Sequence, residues 1–215
     1  MAKKRPGETE KIPEEIREAC ADLYDEVAML HVKWSFYQEL FQDRENAQLL
    51  SNRARAFFQT VEESLRADML MSICRLSDPS RSLARGSISF AVLLGKCVDV
   101  PKVDNLVTAF QAACGNVRLQ RNRSIAHNDL GSVIDLRECL LPGVGRPQID
   151  EILRLAREIL RAVYGHYASL DLAFEPAYPG GARELIDWIT QAQQSPAAEG
   201  KERGSASASS SGSRE

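Results

Sequence analysis

The sequence predicts an all-α fold, an antiparallel bundle of four long helices with short helices capping it. Three observations lead there. Apolar residues recur in alternating steps of three and four along most of the chain, no segment alternates with the period of two that marks a half-buried strand, and Pro- and Gly-bearing stretches separate the runs.

The 215 residues, 44% hydrophobic and 27% charged, are enough for one substantial core and few for two. The chain divides into a flexible N-terminus (1–12), the bundle (13–191) and a tail (192–215) too poor in apolar side chains to offset its ordering entropy.

The first helix is announced by Pro13-Glu14-Glu15 and carries Ile16, Cys20, Leu23, Val27, Leu30, Trp34, Tyr37 and Phe41, a seam of about seven turns. The second carries Ala54, Phe58, Val61, Leu65, Met69, Ile73 and Leu76 and stops at Ser77-Asp78-Pro79, where proline disfavours a helical residue before it. Ser87 is expected to cap a short apolar helix over residues 88–97, and Pro101 or Asp104 opens the next. That fourth helix places Leu106, Phe110, Ala113 and Val117 on one face. A Gly- and Pro-rich connector follows, in which Gly143 and Gly145 lack the strand context of a phosphate loop. A fifth helix runs through Ile149, Ile152, Ala156, Ile159, Val163, Tyr167 and Leu170, and a small one spans Ala182 to Thr190.

The formal charge of −3 argues against general binding to nucleic acid or anionic membrane, so any recognition of phosphate must be local. Cys20, Cys74, Cys97, Cys114 and Cys139 are odd in number without CxxC spacing, which suits buried free thiols in a reducing compartment. No apolar run follows the basic N-terminal residues and no window suits a membrane span, so the expectation is a cytoplasmic protein away from membranes. His31 and His166 have no cysteine or carboxylate at metal-ligand spacing, and no metal or cofactor is expected. The aromatic residues follow helical spacing and read as core.

One stretch breaks the pattern, Val117-Arg118-Leu119-Gln120-Arg121-Asn122-Arg123-Ser124-Ile125-Ala126-His127. Past Val117 the apolar rhythm lands on Gln120, Ser124 and His127, so polar groups occupy a seam that should be greasy. Such groups need partners or an open site, and a local break in an otherwise consistent sequence points to function.

Arg121-Asn122 followed, after four more residues, by His127 resembles the arginine-polar-histidine signature of the HEPN superfamily. Trp34 in an early aromatic helix and Cys74-Arg75-Leu76-Ser77-Asp78-Pro79 ahead of that signature resemble the AbiU-type abortive-infection branch, over residues of about 14 to 175. The resemblance implies a helical bundle acting as a metal-independent endoribonuclease of the toxin or antiphage type, with RNA as substrate, a site composed at a homodimer interface and an antitoxin protein as possible partner. It implies Arg121, His127 and Asn122 as catalytic residues, with Arg118 and Arg123 attracting RNA. Arg75 and Asp78 match its second motif, although a helix-ending arginine paired with a nearby aspartate explains them as well. The alternative is a non-catalytic HEPN-like module that binds a nucleotide, RNA or a protein through the same patch.

The chemistry suits the residue types. Cleavage by the 2′-hydroxyl needs a base, an acid and positive charge at the phosphate; imidazole supplies the first two and guanidinium the third. Six helical steps of about 100° leave Arg121 and His127 about 120° apart around a regular helix, so either the helix frays near Ala126 or a second protomer completes the site.

Overall fold

The computed structural model describes residues 11–78, 89–119, 121, 145–174 and 181–194. These form helices and, among the described residues, no strand: α1 (Glu14–Tyr37), a π-helical segment (Gln38–Gln42), α2 (Arg44–Leu76), α3 (Phe90–Leu94), α4 (Val103–Ala113), α5 (Arg146–Ala168) and α6 (Ala182–Gln194). The fold is all-α, as the periodicity predicts.

Helix α1 starts after Pro13, with Glu14 and Glu15 set against the positive end of its dipole. Its seam residues Ile16, Cys20, Leu23, Val27, Leu30 and Trp34 are all buried, each apolar side chain of Leu or Ile size contributing about 1.5–3 kcal/mol. The core begins two residues before the helix starts, since Ile12 is 1% exposed. Pairing fixes the direction of its neighbours. Trp34 Nε1 donates to Asp150 Oδ1 at 2.8 Å near the start of α5, and the Tyr24 ring meets Tyr164 at 6.4 Å near its end, so α1 and α5 run antiparallel. Lys33 pairs with Asp68, and Glu26 with Arg75, so α2 is antiparallel to α1 as well.

Helix α2 begins with Asp43, whose carboxylate accepts from the backbone N–H groups of Glu45 and Asn46 at 2.9 Å. Its predicted stripe is buried at Met69, Ile73 and Leu76, half-buried at Phe58, Val61 and Leu65, and exposed at Ala54. The reason is geometric. Tyr37, the last residue of α1, already lies opposite Glu62, its hydroxyl 3.4 Å from the carboxylate. Upstream of that level α2 packs on the π-helical segment, where a satellite core forms from Leu40, Leu50, Ala182 and Ile186 with α6 against it. The backbone of α2 is kinked there, Ala54 having φ −151° and ψ 65°.

Helix α3 starts at Phe90 with Ser89 in the N-cap position; Ser87, the expected cap, lies outside the described residues. Helix α4 opens at Val103, between the two expected start points, after Lys102 in a left-handed conformation (φ 69°). Phe90 meets Phe110 edge to face at 5.0 Å, and α4 packs along α5, where Gln148 Nε2 donates to the Ala113 carbonyl at 2.8 Å. The α5 seam is buried at Ile149, Ile152, Ala156, Ile159 and Val163 and half-buried at Tyr167, and the expected Leu170 falls beyond the helix, which ends at Ala168 before Ser169 in a left-handed conformation (φ 54°). Cys20, Cys74, Cys97 and Cys114 are free and buried, whereas Cys139 and the Gly- and Pro-rich connector up to Val144 lie outside the described residues.

Candidate functional site

Past Ala113 the helix passes a turn at Cys114 and resumes over 115–119, with Arg121 helical as well. The Arg118 N–H bonds back to the Cys114 carbonyl at 3.1 Å, so the backbone path carries the seam onward, and Val117 is fully buried as predicted. Beyond it the side chains change character. Arg118 is half-buried and its two terminal nitrogens donate to backbone carbonyls, Nη1 to Ser77 at 3.1 Å and Nη2 to Gln111 at 3.0 Å.

Ser77 is the C-cap of α2, where carbonyls lack intrahelical partners, and its hydroxyl donates to the Cys74 carbonyl at 3.3 Å. A guanidinium placed there satisfies one of those carbonyls and meets the negative end of the helix dipole. Arg121, half-buried, adds a second positive charge to the same place. Burial pushes the Cys74 thiol up, opposed by Arg121 and then Arg118; burial likewise drives Cys114 up to about 12 against the pull of Arg118. The structure thus brings the Cys74–Asp78 turn together with Arg118 and Arg121 of the polar stretch, about 40 residues away in sequence, at the C-terminal end of α2.

Arg118 and Arg121 are the two candidate residues that can be placed. Asn122, Arg123 and His127 lie outside the described residues. Leu119, between the two arginines, is 56% exposed, a large apolar side chain left bare beside them.

Arg75 is a correction to the expected pairing with a nearby aspartate. It reaches across to α1, its Nη2 lying 2.6 Å from Glu26 Oε1 and 3.0 Å from the Ser72 hydroxyl, because its side chain faces α1. Burial pushes the Glu26 carboxyl up, but hydrogen bonds from Arg75 and Ser72 outweigh it and hold the carboxyl below its ordinary range. Asp78 meets Arg75 through the backbone instead, its N–H donating to the Arg75 carbonyl at 3.2 Å.

The other histidines sit elsewhere. His31 lies between α1 and α5 with its ring 5.8 Å from Phe174; burial first, then Arg157, lowers its pKa to about 4, against a raising hydrogen bond with the Leu153 backbone. His166 has an acidic neighbour that sequence spacing missed: Nε2 lies 3.3 Å from Asp99 Oδ2, while Tyr167 donates to Oδ1 at 2.6 Å. Among the described residues no group of three or more His, Cys, Asp or Glu side chains is placed to hold a metal ion, and no helix is long and apolar enough to cross a membrane.

Comparison with known proteins agrees with the resemblance read from the motifs. A family model, HEPN_AbiU2, described as AbiU2, matches residues 13–179. No curated protein and no solved structure matches the chain.

Proposed function

The chain belongs to the HEPN AbiU2 family, and from that premise we propose that it is an abortive-infection endoribonuclease that cuts RNA without a metal, at a site completed by a second copy of itself. The observation that supports this reading most directly is the pair of arginines, Arg118 and Arg121, gathered at the C-terminal end of α2 where the bundle interior would otherwise be apolar.

In this reading Arg121 holds the scissile phosphate and stabilises the charge of the phosphorane. His127 of one copy removes the proton from the 2′-hydroxyl as that oxygen attacks phosphorus. His127 of the other copy delivers a proton to the departing 5′-oxygen. The products are a 2′,3′-cyclic phosphate and a free 5′-hydroxyl, so atoms and protons balance. Asn122 orients the motif, and Arg123 adds attraction for the RNA backbone. Arg118, with its terminal nitrogens committed to carbonyls, holds the segment leading into the motif to α2 and adds long-range charge. The bare Leu119 beside the arginines supports a face that another protomer covers.

Incubation with single-stranded RNA in excess EDTA tests the proposal. Cleavage that survives the chelator and falls by at least about 100-fold in both Arg121→Ala and His127→Ala is the expected result, in line with the usual size of a general acid–base contribution. RNA binding without cleavage would instead identify a recognition module, and metal-dependent cleavage would overturn the mechanism.

A further inference from the structure

A second feature of α2 lies far from the motif. Residues Ser51, Asn52, Arg53, Ala54, Arg55, Ala56 and Phe57 are all exposed, so for about two turns around the kink no face of the helix is covered by another described element. The segment carries two cations and no acid in a chain whose formal charge is −3. Among the described residues neither Arg53 nor Arg55 pairs with a carboxylate. Phe57 is 63% exposed, its ring held edge-on against Phe58 at 5.2 Å.

An open cleft of about 360 Å³ adjoins it, with Phe41, Leu50 and Phe58 as apolar walls and Arg55, Ser51 and Gln59 among its polar ones. That volume falls within the roughly 300–1,000 Å³ of small-molecule sites. Two carboxylates also line it, and both are engaged: Glu62 by Arg66 and Tyr37, Glu63 by Gln59. Buried in the same wall, Arg66 Nε has no hydrogen-bond partner among the described residues. A slot whose walls are part apolar and part hydrogen-bonding, a cation in its lining that pairs with no carboxylate among the described residues, and an exposed aromatic ring in the adjoining segment match the parts of a nucleotide in an unpaired strand: a base to stack and a phosphate to neutralise.

We propose that the kinked segment of α2 and this cleft form a subsite for single-stranded RNA, in which Arg53 and Arg55 hold phosphates and a base stacks on Phe57 or enters the cleft. The inference rests on RNA being the ligand of the motif and extends it. Phe57 and Cys74, the residue whose thiol senses Arg121, are 17 positions apart on α2, about 25 Å at a rise of about 1.5 Å per residue. A strand held at both places is therefore several nucleotides long, and the subsite selects unpaired RNA of sufficient length.

The test uses a fluorescein-labelled 12-nucleotide single-stranded RNA with 2′-O-methyl riboses, which lacks the attacking hydroxyl. Its affinity is measured by anisotropy from low to moderate salt, for the wild type, Arg53→Gln/Arg55→Gln and Phe57→Ala. All altered side chains are exposed and the variants' circular dichroism should match the wild type. Loss of two phosphate contacts predicts a salt slope shallower by about 1.4 for the double variant. Loss of stacking predicts binding about tenfold weaker for Phe57→Ala at unchanged slope. Equal affinities for all three proteins overturn the subsite, as does absence of RNA binding by the wild type or a preference for the matching duplex. Failure of the nuclease reading is separately visible: cleavage of unmodified RNA is then absent from the wild type while these binding measurements stand.

Discussion

His31 is a neutral imidazole held between two helices, and its neutrality is a condition of their packing. Its folded pKa of about 4 lies below the ordinary 6.5, so between those values the unfolded chain binds more protons than the folded one. The resulting stability is complete above about pH 6.5 and is lost as pH falls towards 4. At about 1.4 kcal/mol per unit the shift sets a ceiling of about 3–4 kcal/mol, which partial solvent contact reduces to about 2 kcal/mol or less. Urea unfolding of wild type and His31→Asn across this range checks it: the stability difference between them should shrink as the pH drops, and a constant difference would rule the account out. The thiols make a second residue-scale prediction. Cys20 and Cys74 are buried, and burial raises Cys97 to about 11 and Cys114 to about 12, so Ellman's reagent at pH 8 should modify Cys139 at most in the native protein and all five cysteines in denaturant.

At the level of elements, Arg118 ties the C-terminus of α2 to the helical segment over 115–119. Arg118→Ala should cost about 1–3 kcal/mol of unfolding free energy, because it strands carbonyls at Ser77 and Gln111 that a charged donor now satisfies, and Arg118→Lys should recover only part of that loss. Sequence periodicity could not reveal this arrangement. The rhythm of three and four identified every buried residue of α1 from Ile16 to Trp34 except Val32, since α1 has neighbours along that whole face. Applied to α2 it marked Ala54 through Leu65 just as firmly, yet those residues are exposed or half-buried, since periodicity says which side chains share a face and not whether a partner covers it. The pairings of Arg75 with Glu26 and of His166 with Asp99 were equally invisible, each joining positions at least 49 residues apart.

For the molecule as a whole, the all-α class was legible because a helical period with no competing period of two leaves few alternatives. The candidate site was legible as a discontinuity, polar residues where the seam should continue, and as a spaced arginine–histidine signature; the placement of Arg118 and Arg121 at the end of α2 required the fold. The proposed mechanism adds a requirement on assembly. Light scattering at micromolar concentration should give about twice the 23.9 kDa of one chain. Leu119→Arg should shift the protein towards monomer and lower chelator-resistant cleavage in parallel; a fully active monomer would remove the need for two imidazoles in one cleft.

The two tryptophans carry one more consequence. Trp34 is 7% exposed with its indole N–H on Asp150, and Trp188, on α6, is 62% exposed. Iodide should therefore extinguish one emitter and leave the other shining, a red-shifted signal from the α6 surface over a blue-shifted one from the main core. The unlabelled protein thus contains two native fluorescent reporters, by which occupation of the satellite face and collapse of the interior can be followed separately in a single cuvette.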